Sequence, residues 1–244
     1  MDGTNGGDLV RTDAQDQMGG SGPSLVRLIR EQTDSVRAAL PSHLAPNAEA
    51  YVRSALTLVR QTPRLLECDA ATVLGGIMTA SQLGLQFGPL GQAYLVPYRD
   101  KRGGMSAQFI IGYQGLVQLA YRSIPDFAIE AGVVHMGDKF EYVYGTEPRL
   151  YHEPCVDPGR FVAAWVLAHI GSHKIFRVLS KQQVDAHRKH SRAKEGPWFD
   201  HYEQMAQKSA MREMKPFLPL TVELERAYSV DGTIRTTAIL EEEE

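Results

Sequence analysis

Apolar residues recur at helical spacing over three stretches early in the chain, then give way to the alternation of strands. Leu25, Leu28, Ile29 and Val36 predict a first helix over about 24–39, ending near Pro41. Pro46 and Asn47 open a second, with Val52, Ala55, Leu56 and Val59 on one side. Asp69 is placed to cap a third through Val73, Ile77, Ala80 and Leu83. Residues 92–98 and 105–111 then read as two strands of a β-hairpin, because Gly103 and Gly104 supply the positive-φ positions a tight connection needs. A short helix follows from Gly112, with Tyr113, Leu116, Val117 and Ala120 on one face and Pro125 as its stop. The runs AIEAGVVH, KFEYVYG, FVAAWVLAHI and KIFRVL predict strands between Phe127 and Leu179, with a turn at Gly171 and Ser172. Ser180 with Gln183, and Asp200 with Glu203, have capping-box spacing and predict two helices on either side of Gly196, Pro197 and Trp198. A last amphipathic segment covers about 219–229.

This order predicts an α+β fold: N-terminal helices, a β-hairpin and an antiparallel sheet packed with helices. Residues 1–23 offer almost nothing to bury and read as a disordered segment. Residues 24–230 form the expected domain, and 231–244 a short acidic tail.

Composition narrows the classes. With 244 residues, 43% of them hydrophobic and 23% charged, the chain supports one well-filled core or two small ones. It contains no run of eighteen uncharged apolar residues, so no membrane association is expected. The start of the chain has neither the positive flank nor the apolar block of a secretory signal. Cys68 and Cys155 have no metal-ligand spacing and read as two thiols in a reducing compartment, which gives a cytoplasmic expectation.

A net charge of −3 argues against a polyanion partner until its distribution is considered. Acid collects at Asp2, Asp8, Asp13 and Asp16 and again at Glu241 to Glu244. Lys174 to Lys215 carries ten Lys or Arg against five Asp or Glu, and Tyr94 to Arg122 carries four against one. Within these regions Arg99, Lys101 and Arg102 crowd the hairpin tip. Lys181, Arg188 and Arg192 form one helical ridge, and Lys208, Arg212 and Lys215 a second. Tyr94, Tyr98, Tyr113, Trp198 and Tyr202 are interleaved with them, and aromatic faces stack the bases of single strands. The candidate DNA contacts are Arg99, Lys101, Arg102, Tyr113, Arg122, Lys181, Arg188, Lys189, Arg192, Lys194, Trp198, Lys208, Arg212 and Lys215. The competing account is that these cations solvate helix surfaces and the aromatics belong to the core.

Enzyme motifs give no catalytic candidates. The sequence has no phosphate-binding GxxxxGK[ST] loop, no HExxH, no paired CxxC and no GxSxG. Asp126 and Glu130 resemble the two acids of a metal-dependent nuclease, but the lysine expected two residues on is Gly132. His135, Asp138 and His152 invite a metal reading, as do His187 and His190. The former need not converge, and the latter share a helix with Arg188, Lys189 and Arg192, which disfavour a cation. Hydrogen-bonded or surface histidines are the expectation.

FGPLGQAYLVPY over 87–98, followed by QFIIGYQGL over 108–116, resembles the central signature of the RecT family of phage-type recombination proteins. So does the pattern of His135, Asp138, Phe140, Tyr142 and Gly145 with His152. Pro197, Trp198, Met205, Lys208, Arg212 and the stretch from Pro216 to Pro219 complete a likeness over roughly residues 25–230. The resemblance implies an α+β annealing-protein core and ATP-independent annealing of single-stranded DNA into duplex. It also implies self-association into rings or filaments, a partner exonuclease and a host single-strand-binding protein. No cofactor is implied, and any magnesium dependence would act through the DNA. A single-strand-binding protein without annealing activity, or a metal-dependent nuclease, are the alternatives.

Overall fold

A computed structural model describes residues 24–99, 103–190, 197–219 and 221–234. The chain opens with helices α1 (Leu25–Glu31), α2 (Thr33–Ala39), α3 (Ala48–Gln61) and α4 (Ala70–Gln82). Where the pattern predicts one helix over 24–39 there are two, broken at Gln32. The Thr33 hydroxyl donates to the Arg30 carbonyl at 2.7 Å and gives the backbone a local alternative to the helical ladder. The apolar spacing survives the break, because Ile29 and Val36 are both fully buried. Asp69 caps α4 as expected, its side chain accepting from the Ala71 N–H at 3.0 Å, a contact worth about 1 kcal/mol.

The hairpin pairs β1 (Ala93–Arg99) with β2 (Met105–Ile111) in antiparallel register, Ala93 opposite Ile111 and Arg99 opposite Met105. Alternation puts Ala93, Leu95, Ala107, Phe109 and Ile111 on the buried face, against α4. Burial of a side chain such as Phe109 contributes roughly 1.5–3 kcal/mol. Helix α5 (Tyr113–Ser123) leaves β2 directly and leads to β3 (Phe127–His135), β4 (Lys139–Val143), β5 (Arg149–Glu153), β6 (Phe161–Ile170) and β7 (His173–Ser180). These make an antiparallel sheet in the order β3-β6-β7 and a separate β4-β5 ribbon. Strand β5 has no apolar run to announce it, since its residues alternate between exposed and half-buried rather than facing a core. Gly171, at φ 56°, makes the expected β6–β7 turn.

The chain closes with α6 (Lys181–His190), α7 (Pro197–Asp200), α8 (Tyr202–Glu213), α9 (Val222–Val230) and a two-residue strand β8 (Thr233–Ile234). Ser180 and Gln183 form the expected capping box: the Ser180 N–H donates to Gln183 Oε1 at 2.9 Å, and the Gln183 N–H donates to Ser180 Oγ at 3.3 Å. The second predicted box does not form. His201, not Asp200, precedes α8 and provides no side-chain cap, while Glu203 reaches the His135 ring at 2.9 Å instead. Helix α8 lies across β3, β6 and β7. Ala164, Val166 and Ala168 on β6 and Ala206 and Ala210 on α8 are completely buried, which lets the two layers approach closely. Packed structure continues through Ile234, past the predicted end at 230, because β8 adds to the edge of β2. One hydrophobic core joins the N-terminal helices, both sheets, α8 and α9. Among the described residues no helix is long and apolar enough to cross a membrane.

Candidate nucleic-acid interface

Four of the sequence candidates meet in one place. Helix α6 is anchored by the fully buried Val184, so Lys181, Asp185 and Arg188, at i, i+4 and i+7, share a second face. Pro197 starts α7 at a position that needs no N–H, and that turn sets Trp198 and Phe199 facing α6. Between them lies an open cleft of about 800 Å³ lined by Lys181, Gln182, Asp185, Arg188, Lys189, Trp198 and Phe199. The Arg188 guanidinium sits 4.8 Å from the centre of the Phe199 ring and 5.8 Å from that of Tyr202. Lys189 is exposed, and Phe199 remains 51% exposed, so cation and ring surfaces are both open to a ligand.

Asp185 organises this cleft and offsets part of its positive charge. Its carboxylate pairs with Lys181 and accepts from the Tyr202 hydroxyl at 2.8 Å. The Lys181 hydrogen bond holds Asp185 below the usual carboxylate range. Burial, reinforced by Asp185, pushes the Tyr202 hydroxyl well above its ordinary value, so it stays a donor. Tyr202 in turn packs edge-on against Phe161 (5.2 Å between centroids) and Trp198 (6.1 Å), which fixes α6 and α7 against β6.

The other candidates divide into three groups. Arg99 is exposed at the end of β1, whereas Lys101, Arg102, Arg192 and Lys194 lie outside the described residues. Tyr113 is half-buried at the start of α5, with its hydroxyl pushed up to about 12 by burial, and it lines a second cleft. Arg122, Lys208, Arg212 and Lys215 each pair with an acid of the chain; of the second ridge Lys208 is buried, whereas the Arg212 and Lys215 side chains stay 41% and 37% exposed. Arg122 pairs with Glu223 and donates to the Leu83 carbonyl at 2.5 Å, tying α5 to α9 and to the end of α4. Lys208 is 4% exposed and lies 2.9 Å from Asp231, with Arg212 on the same carboxylate. Burial pulls the Lys208 ammonium below its ordinary value, against the opposing pull of Asp231. Lys215 pairs with Glu225 at 3.0 Å and lies 5.4 Å from the Tyr228 ring centre. Phe199, Gln182 and Asp185 are the cleft residues that sequence reasoning missed. The available signal was Pro197 at a first helical position, which puts Phe199 on the same turn as Trp198.

His135, Asp138 and His152 do converge, around a carboxylate that is 1% exposed. Asp138 accepts from the Cys155 N–H (2.8 Å), the His135 N–H (2.8 Å) and His152 Nε2 (2.9 Å), and these hydrogen bonds hold it far below the usual range. His152 Nδ1 accepts from Trp165 Nε1 at 3.0 Å. With both oxygens and both ring nitrogens used, the cluster is a structural clasp. Among the described residues no group of three or more His, Cys, Asp or Glu is arranged to hold a metal ion.

Comparison with known proteins identifies relatives over most of the chain. The RecT family matches residues 49–244. Protein RecT of Escherichia coli (strain K12) is 35% identical over 239 residues, covering 91% of this chain and 88% of that protein. The uncharacterized protein YqaK of Bacillus subtilis (strain 168) is 27% identical over 200 residues, covering 79% of this chain and 67% of its own length.

Proposed function

The chain belongs to the RecT family, and from that premise we propose that it binds single-stranded DNA in the α6–α7 cleft and anneals complementary strands without ATP. The observation that carries this reading is the convergence of Lys181, Arg188 and Lys189 with Trp198 and Phe199 around one open cleft. Cations neutralise phosphates, and the two aromatic faces stack on bases or sugars, so the cleft matches a single strand better than a closed duplex.

Annealing needs no fuel. Base pairing and stacking return about 1.4 kcal/mol per base-pair step, and the obstacle is phosphate repulsion between two strands. A protein that neutralises one backbone and leaves most bases accessible lowers that obstacle. Self-association into rings or filaments would place many such clefts along one strand and sum weak contacts. A partner exonuclease would supply the single strand, and a host single-strand-binding protein would compete for it. No cofactor enters the step, and magnesium would act by screening the DNA.

The test mixes labelled complementary oligonucleotides with the protein, without ATP, with and without magnesium. Accelerated duplex formation in both conditions is the expected result. Strand protection with slowed annealing would indicate a plain binding protein, and magnesium-dependent degradation a nuclease. Either outcome overturns the proposal. The triple variant Lys181→Ala, Arg188→Ala, Lys189→Ala should bind more weakly. Its log–log salt slope should be shallower by about 0.7 for each phosphate that is no longer neutralised. An unchanged slope in a folded variant would move the binding surface elsewhere.

A further inference from the structure

A second cleft, of about 760 Å³, opens where the loop over residues 88–92, the first turns of α5 and the start of α8 meet. Its lining is unlike that of the first. Tyr94, Tyr113, Gln114, Gln118, His201 and Gln204 face it, and among the described residues no Lys, Arg, Asp or Glu lines it. Such a surface offers little to a phosphate. It offers aromatic faces together with amides, each of which presents a donor and an acceptor side by side.

The cleft is built in advance. A Cβ on Gly112 would lie 1.8 Å from the Gly91 carbonyl oxygen, and one on Gly115 would lie 2.2 Å from that of Gln92, so the loop is seated directly on α5. The Gly112 N–H donates to the Gln92 carbonyl at 2.8 Å. The Gln92 side chain accepts from the Gln86 N–H at 3.0 Å and donates to Gln118, which commits it to holding the wall. Gln114 and Gln204 are different: both are exposed, and neither side chain has a hydrogen-bond partner among the described residues. Tyr94 and His201 rings stand 6.4 Å apart across the mouth. His201 directly follows Asp200, the last residue of α7, so the two clefts flank the same α7–α8 corner.

We propose that this neutral cleft receives an unpaired nucleobase of the strand held by the α6–α7 cleft, and that it thereby sets a preference for single strands over duplex. The inference rests on the reading that the chain binds single-stranded DNA. Its chemistry is that of base-edge recognition: a glutamine amide meets the Watson–Crick edge of an unpaired base through hydrogen bonds, and a tyrosine face covers its plane. The volume falls in the range of small-molecule sites, enough for a base with its sugar. In duplex DNA that edge is already paired and the base is stacked, so the cleft stays empty and its contribution is lost. A base parked here is returned to the strand when its complement arrives, so annealing itself empties the site.

Three probes of equal length separate the possibilities: a mixed-sequence oligodeoxynucleotide, a fully abasic one, and a duplex. Affinities are measured at two salt concentrations for the wild-type chain and for Gln114→Leu/Gln204→Leu, with circular dichroism as the folding control. The wild-type chain should bind the base-bearing strand at least about fivefold tighter than the abasic strand, the lower end of what one stacked base contributes. The double variant should lose part of that difference, the remainder coming from the rings of the α6–α7 cleft, with its abasic and duplex affinities and its salt slope unmoved. Equal wild-type affinity for base-bearing and abasic strands overturns the proposal. So does full discrimination retained by the double variant, or by Gln114→Ala and Gln204→Ala singly if the double variant fails to fold. Failure of the underlying reading has a separate signature: a folded wild-type chain that binds none of the three probes, which removes both.

Discussion

Lys208 and Arg212 lie one turn apart on α8 and meet the same carboxylate, yet their surroundings differ. The Lys208 side chain is 5% exposed and the Arg212 side chain 41%, while Asp231 is 3% exposed and also accepts from the Ile111 N–H at 2.8 Å. Removing one partner of a buried pair costs about 3–5 kcal/mol, because the charge left behind stays desolvated. Lys208→Ala should therefore lower the unfolding free energy by that order in a urea titration. Arg212→Ala, nearer solvent, should cost about 1 kcal/mol or less. Equal losses would show that the two cations share the carboxylate evenly. The spacing of Lys208, Arg212 and Lys215 correctly places them on one face of a helix, but spacing does not say what that face meets. Met205, Ala206, Ser209, Ala210 and Met211 are buried around the same helix, so α8 is enclosed on most sides and its lysine is drawn inward. Lys181 and Arg188 have the same kind of spacing and an open outcome, since Val184 is the single buried side chain among the described ones of α6. Apolar content around the helix, rather than charge on it, separates a buried cation from one at the surface.

At the scale of elements, patterns that carry their own local chemistry were legible. The β1–β2 hairpin, the Asp69 cap and the Ser180 box each depend on residues a few positions apart, and each forms. The predicted box at Asp200 and Glu203 fails because Glu203 finds a partner, His135, 68 residues away in sequence. A β-bulge at Val134 and His135 shifts the register at the end of β3, a feature no periodicity announces. The neutral cleft was equally hidden, since its walls come from a loop, α5 and α8. Gly112 offers a direct handle on that assembly. Its φ of −74° suits any residue, so the requirement is for space: the Gly91 carbonyl occupies the position a methyl group would take. Gly112→Ala should displace the 88–92 loop and lower the melting temperature. Gly103→Ala, which meets nothing within 4 Å but has a φ of 89°, should affect only the hairpin tip. A Gly112→Ala chain that melts with the wild type would show that the loop is not seated on α5 in solution.

For the whole molecule, a net charge of −3 conceals a division of labour. Cations converge on the α6–α7 cleft, while residues 130–157, around the β4-β5 ribbon, hold Glu130, Asp138, Glu141, Glu147, Glu153 and Asp157. That acid-rich region is fastened by carboxylates whose folded forms favour ionisation: Asp138 through the Cys155 and His135 N–H groups and His152, and Glu153 through Lys139 and then Tyr151. A carboxyl whose folded pKa lies below its unfolded value contributes stability that is fully present above about pH 4 and is lost as pH falls further. Acid should therefore release the ribbon before it dissolves the helical core, because Asp138 links the start of β4, His152 on β5 and the chain after β5, and His152 in turn holds Trp165 on β6. With two tryptophans in the chain, Trp198→Phe leaves Trp165 as the sole reporter. Its emission should shift to the red at a higher pH than the loss of far-ultraviolet helical signal. Asp138→Asn should abolish that early transition and lower the melting temperature at neutral pH. Coincident transitions by both probes, or an Asp138→Asn chain with the wild-type acid profile, would mean that the ribbon and the core unfold as one unit and that Asp138 does not hold them together.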